Sequence, residues 1–251
     1  MPDDPEGVDN GCVDDGKTPG KTLEYAPGRY MDIYGQRSPN TLLLWHGRGP
    51  NERDVLAPLA TLAASRGVRV LVPDWDSTSP DGGRSDLLQS VKFAREYDAA
   101  PDSQLVVGGW SLGGTAAASL ALNARRLGLG FVSAVCLAGA FRTTDPLSGG
   151  PFDSILPSPR TPGSIRLVHG SKDDVTGIEG SREFAAILHD AGWATDLLEL
   201  PTDHAGIVGT EFDDARSRCL PSVSPVIRDA VETVAGVLAE AAFDRPPNLG
   251  N

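Results

Sequence analysis

Gln104-Leu105-Val106-Val107-Gly108-Gly109-Trp110-Ser111-Leu112-Gly113-Gly114 decides the reading of this chain. Four residues of a strand-like apolar run lead into Gly-Trp-Ser-Leu-Gly, and an Ala-rich helical stretch opens after Leu112. A strand that turns straight into a helix leaves almost no room for side chains flanking the turn, and glycines at 109, 113 and 114 remove that clash. Such a turn projects one hydroxyl into a cleft, which makes Ser111 a candidate nucleophile. Five residues among 29 glycines prove little alone, so the reading depends on what surrounds them.

Short apolar runs alternate with longer amphipathic ones. Strands are expected at 31–34, 41–45, 68–72, 104–107, 132–138, 165–168 and 195–200. Helices are expected near 54–66, 83–98, 112–127, 178–191 and 224–242, the last with Ile227, Val231, Val234 and Leu238 on one stripe. Strands separated by helices need crossover connections, so the fold class is α/β, a doubly wound and mostly parallel sheet. Residues 142–163 carry five prolines without helical or strand period and read as a long loop, a lid, binding loop or plain surface excursion.

Residues 1–20 hold six acids and no base before Lys17, and read as a disordered acidic tail. The expected organisation is one domain over 21–243 with a flexible tail over 244–251. A net charge of −12 argues against nucleic acid as a partner. No apolar run approaches the roughly 20 residues that span a bilayer, and the start has no signal-peptide character. The chain as written reads as cytoplasmic. Cys136 reads as a buried apolar residue, whereas Cys12 and Cys219 lie in polar segments and read either as two unmodified thiols or, in an exported protein whose signal was removed, as cysteines that could form one disulfide.

A serine hydroxyl needs a base to take its proton. Of four histidines, His189 sits in a helical stretch, and His46 and His169 each end a strand as His-Gly, where a backbone turn is the expected job. His204 instead begins a loop at the carboxyl edge of the sheet, the edge where open α/β sheets bind ligands. It is the expected base. Asp173 and Asp174 follow a strand ending at that edge, and Asp173 is the expected partner of His204, with Asp203 and Asp145 as weaker alternatives. The backbone N–H of Leu112 and that of Arg48, with Gly49 next, are the expected oxyanion donors. The Arg48 guanidinium is expected either to meet a substrate carboxylate or, more commonly, to form a surface ion pair. Trp45 and Trp110 are candidate walls of a substrate pocket, with core packing as the alternative. Neither a metal nor another cofactor is expected.

On these residues the chain resembles the α/β-hydrolase superfamily, in particular compact serine esterases similar to dienelactone hydrolases, acetyl- and feruloyl-esterases and kynurenine formamidases. The resemblance rests on His46-Gly47, Pro73-Asp74, Gly109 to Gly114, His169 to Val175 and Leu198 to His204, and spans roughly residues 30–242. It implies a triad of Ser111, Asp173 and His204 that cleaves a small carboxylic ester through an acyl-enzyme. Arg48 stands where many such esterases have a second glycine. The elbow carries serine, which argues against the cysteine chemistry of dienelactone hydrolases and the aspartate chemistry of dehalogenases and epoxide hydrolases. Only the loop 142–163 follows the sixth strand, so no large cap domain is expected. An amidase, formamidase or peptidase with the same triad, and a non-catalytic binding protein on this fold, are the alternatives.

Overall fold

The computed structural model describes residues 19–97, 105–130, 132–152 and 163–244. Most of the two expected tails, Cys12 and the second half of the 142–163 loop lie outside the described residues. An eight-stranded sheet runs in the order β1 (Lys21–Ala26), β2 (Arg29–Tyr34), β4 (Arg69–Pro73), β3 (Thr41–Trp45), β5 (Leu105–Trp110), β6 (Val132–Leu137), β7 (Gly163–Gly170) and β8 (Ala194–Leu200). β2 pairs antiparallel with β1 and β4, and every later pairing is parallel. The expected doubly wound, mostly parallel α/β sheet is therefore present.

Helices cover both faces. Alternate residues of each central strand point to opposite sides, so Leu43, Val107, Cys136 and Leu167 pack under α2 (Arg84–Tyr97), α3 (Leu112–Asn123) and α4 (Ile178–Asp190). Leu42, Leu44, Val106 and Val135 face α1 (Ala57–Ser65) and α5 (Pro225–Phe243). The expected stripe Ile227, Val231, Val234 and Leu238 is buried as one face of α5. Every residue of α3 from Leu112 to Leu122 is buried, which its run of Ala and Gly permits. Small side chains let this helix lie close against the strands, so its first turn is held rigidly at the sheet edge.

Three strands were not expected. β1 is an edge strand with mostly exposed or half-buried residues, and β9 (Thr210–Asp213) pairs antiparallel with β10 (Arg218–Pro221) as a separate hairpin. Among the described residues no helix is long and apolar enough to cross a membrane.

Candidate active site

Ser111 sits between β5 and α3 with φ 55° and ψ −119°, a backbone conformation a non-glycine residue enters only when its surroundings force it. The forces are visible. The Ser111 N–H donates to Leu137 O at 2.8 Å, and its own C=O accepts from Gly114, Thr115 and Ala140. A Cβ on Gly109 would lie 2.1 Å from Gly113 O, and one on Gly113 would lie 2.3 Å from His46 O. Any side chain there would push α3 off the strand ends, so these glycines are what allow the turn.

His204 lies in the loop after β8 with its ring almost fully buried. Its Nδ1 is 2.7 Å from Asp173 Oδ2, and the Asp173 side chain is wholly buried in the loop after β7. Asp173 accepts further hydrogen bonds from the Val175 and Thr176 amides at 2.9 Å and from Thr176 Oγ1 at 2.9 Å. Burial would raise its carboxyl pKa, but hydrogen bonds from His169, His204 and Thr176 outweigh that and hold it well below the usual carboxylate range. Because a carboxylate only accepts, Nδ1 of His204 carries the proton and Nε2 of the neutral ring is left with its lone pair. Among the described residues no hydrogen bond joins Ser111 Oγ to His204. Trp110 links the two segments instead: its Nε1–H donates to His204 O at 2.8 Å, and its ring centroid is 5.1 Å from the imidazole.

The other candidates fall elsewhere. Asp145 is buried beside α3, where Ser119 Oγ and the Leu147 and Ser148 amides occupy its carboxylate, so it orders the loop beginning at Arg142. Asp203 accepts from its own turn at Gly206 N, and Asp174 is exposed. His46 is wholly buried, donates from Nδ1 to Gly47 O, and accepts the Trp75 N–H at Nε2; burial lowers its pKa to about 3, which keeps it neutral. His46 therefore shapes the loop it begins, as its position after a strand suggested.

His169 departs from the expectation. The turn is made by Gly170, whose Cβ would come 2.4 Å from Thr202 O, while the His169 ring reaches Asp173 at 3.1 Å. The sequence signal was present in the four-residue spacing from His169 to Asp173, but only the turn between them turns that spacing into a contact.

The Leu112 amide, at the first position of α3, is one of those a helix leaves without an internal partner. The Arg48 N–H meets no acceptor among the described residues, whereas Gly49 N donates to Ser77 Oγ at 2.9 Å, which removes the second choice. Arg48 and Leu112 share the wall of a cavity of about 680 Å³ with Ser77, Asp81, Thr144 and Pro146. Arg48 is exposed and forms no ion pair among the described residues, so the surface pair expected for its guanidinium is not there. The pocket expectation needs correction at Trp45. That side chain is fully buried in the core and donates Nε1–H to Ser90 Oγ at 3.0 Å, because alternation along β3 turns it under α2 and not toward the sheet edge. Trp110 packs on His204 and does not line this cavity. Cys136 is buried, as expected, and Cys219, half-buried on β10, has no disulfide partner among the described residues.

Residues 42–247 match the family model described as the alpha/beta hydrolase family. No curated protein matches the sequence. Among solved structures, the chain is similar to a thermophilic esterase from Thermogutta terrifontis solved with propionate bound, at 15% identity and a TM-score of 0.63, covering 90% of this chain and 96% of that one. It is also similar to a carbohydrate esterase from gut microbiota (13% identity, TM-score 0.63, 91% and 98% covered). A hormone-sensitive lipase from a metagenome library is comparable (15% identity, TM-score 0.62, 85% and 83% covered).

Proposed function

This chain belongs to the alpha/beta hydrolase family, and from that premise we propose that it is a serine hydrolase that cleaves small carboxylic esters through an acyl-enzyme. The observation that carries the reading is the forced conformation of Ser111, at φ 55° between β5 and α3, in a chain whose His204 and Asp173 form a buried pair at the same sheet edge. Esterases among the similar solved structures support it.

In the proposed reaction, Nε2 of His204 takes the Ser111 hydroxyl proton as Oγ attacks the ester carbonyl. The carbonyl oxygen, now negative, is met by the amides of Leu112 and Arg48; donors fixed before the charge forms need no reorganisation, and each is worth on the order of 100-fold in rate. His204 returns the proton to the departing alcohol. Water, deprotonated by the same ring, then attacks the acyl-serine and releases the acid and Ser111. Asp173 stabilises the imidazolium in both halves and itself stays ionised.

The test is hydrolysis of p-nitrophenyl acetate by wild type and Ser111→Ala, with a matched anilide alongside. Loss of at least 1,000-fold in kcat with an unchanged melting temperature is the expected result. Retained turnover in the variant overturns the assignment.

A further inference from the structure

We propose that His169 is a positioning residue for Asp173, with Ser181 fixing which of its ring nitrogens holds the proton. The inference rests on the triad reading above and extends it by two residues that the chemistry does not touch.

The geometry has three parts. The His169 and Asp173 side chains are both fully buried, and Nε2 of His169 lies 3.1 Å from Asp173 Oδ2, the oxygen that also accepts from His204. A carboxylate cannot donate, so Nε2 of His169 must carry hydrogen. On its far side, Nδ1 lies 2.7 Å from Ser181 Oγ in α4. In the neutral ring this nitrogen is an acceptor, and the serine hydroxyl supplies the donor that makes the opposite tautomer unfavourable. The bonds run Ser181 Oγ–H to His169 Nδ1, His169 Nε2–H to Asp173 Oδ2, with His204 Nδ1–H arriving at the same oxygen.

The remaining donors to Asp173 come from Val175 and Thr176. These belong to the same turn as Asp173, although the Thr176 hydroxyl also reaches Ala138 O at 3.4 Å. His169 does not: it lies in β7, hydrogen-bonded between β6 and β8. Among the described residues that hold the carboxylate, His204 reaches it from the loop after β8, and His169 is the one that ties it to a strand paired on both sides. A carboxylate displaced by even 1 Å loses its grip on the orientation of His204, and misplacements of that size cost on the order of 10- to 100-fold in rate.

The test uses His169→Leu, which keeps bulk without a donor, His169→Gln, whose amide nitrogen sits at the same bond count from the backbone as Nε2, and Ser181→Ala, which removes one hydroxyl. We expect His169→Leu to lower kcat by about 10-fold or more with KM within twofold, His169→Gln to recover most of that loss, and Ser181→Ala to fall between them. The second readout needs no turnover: in protein labelled with ¹⁵N-histidine and carrying Ser111→Ala, the downfield proton resonance of His204 Nδ1–H is expected to shift or broaden with His169→Leu and to persist with His169→Gln. If His169→Leu fails to fold, Ser181→Ala carries both readouts. Unchanged kcat and resonance in the Leu and Ala variants overturn the proposal, as does a Gln variant as impaired as Leu, which would mean that packing alone matters. Failure of the triad reading shows separately, as activity surviving Ser111→Ala.

Discussion

The indole of Trp110 donates its Nε1–H to the carbonyl oxygen of His204 at 2.8 Å, so the residue before the candidate nucleophile holds the backbone of the candidate base. The two residues lie 94 positions apart, and the contact is buried. It ties the turn after β5 directly to the loop after β8. Trp110→Phe keeps much of the packing and leaves the His204 carbonyl without its donor. A buried acceptor left unpaired costs about 1–3 kcal/mol, so the melting temperature should drop by several degrees and kcat should fall more than KM changes. Chemical denaturation with steady-state kinetics on the same preparation checks both.

Ser111 should be costly to the fold that holds it. Its left-handed backbone is worth about 1–3 kcal/mol of strain, whereas glycine at a new site loses roughly 0.5–1 kcal/mol through chain entropy. Ser111→Gly is therefore expected to raise stability by about 1 kcal/mol while abolishing turnover. Urea unfolding of the variant, read against Ser111→Ala, measures the difference; a destabilised Ser111→Gly would mean the turn is not strained.

Acid stability should carry the mark of His46. Burial lowers its pKa from the usual 6.5 to about 3. As pH falls below 6.5 the unfolded chain binds a proton there that the folded chain refuses until about pH 3. Stability is thus fully present above 6.5 and is lost on acidification through that window, by up to about tenfold in the folding constant per pH unit. His46→Gln, which keeps an acceptor for the Trp75 amide, should flatten the loss between pH 6 and pH 4. Melting temperatures across that range decide it.

Two acids can be separated by how they fail. Asp173→Asn should leave the site assembled but disfavour the His204 tautomer with hydrogen on Nδ1, lowering kcat by about 10⁴-fold. Asp145→Ala breaks the hydrogen bonds to Ser119, Leu147 and Ser148 that order the loop, and its cost should be read chiefly in the melting temperature. A kcat loss in Asp145→Ala as large as that in Asp173→Asn would contradict the assignment of the acid.

The candidate residues Ser111, His204 and Asp173 could be picked out of the sequence because each is marked by local chemistry: glycines around a strand end, a histidine opening a loop, an acid past a strand. The helices fell within a few residues of expectation for the same reason, their periods being written in consecutive residues. What the sequence hid depends on distant partners. β1 has a polar, half-exposed pattern because it is an edge strand, with little apolar alternation to reveal it. Trp45 and Trp110 look alike as aromatics near strand ends, yet strand alternation turns Trp45 into the core, while Trp110 packs across to His204. His169 looked like a turn residue, and its contact with Asp173 comes from the turn in which the Asp173 N–H bonds back to Gly170 O.

The central claim is that Ser111 is the nucleophile, and a fluorophosphonate probe tests it most directly. Intact-mass and peptide analysis should find one adduct per chain, on the peptide containing Ser111, formed at a rate that falls in His204→Ala and absent from Ser111→Ala. No adduct on wild type, or an adduct on another residue that persists in Ser111→Ala, would contradict the account.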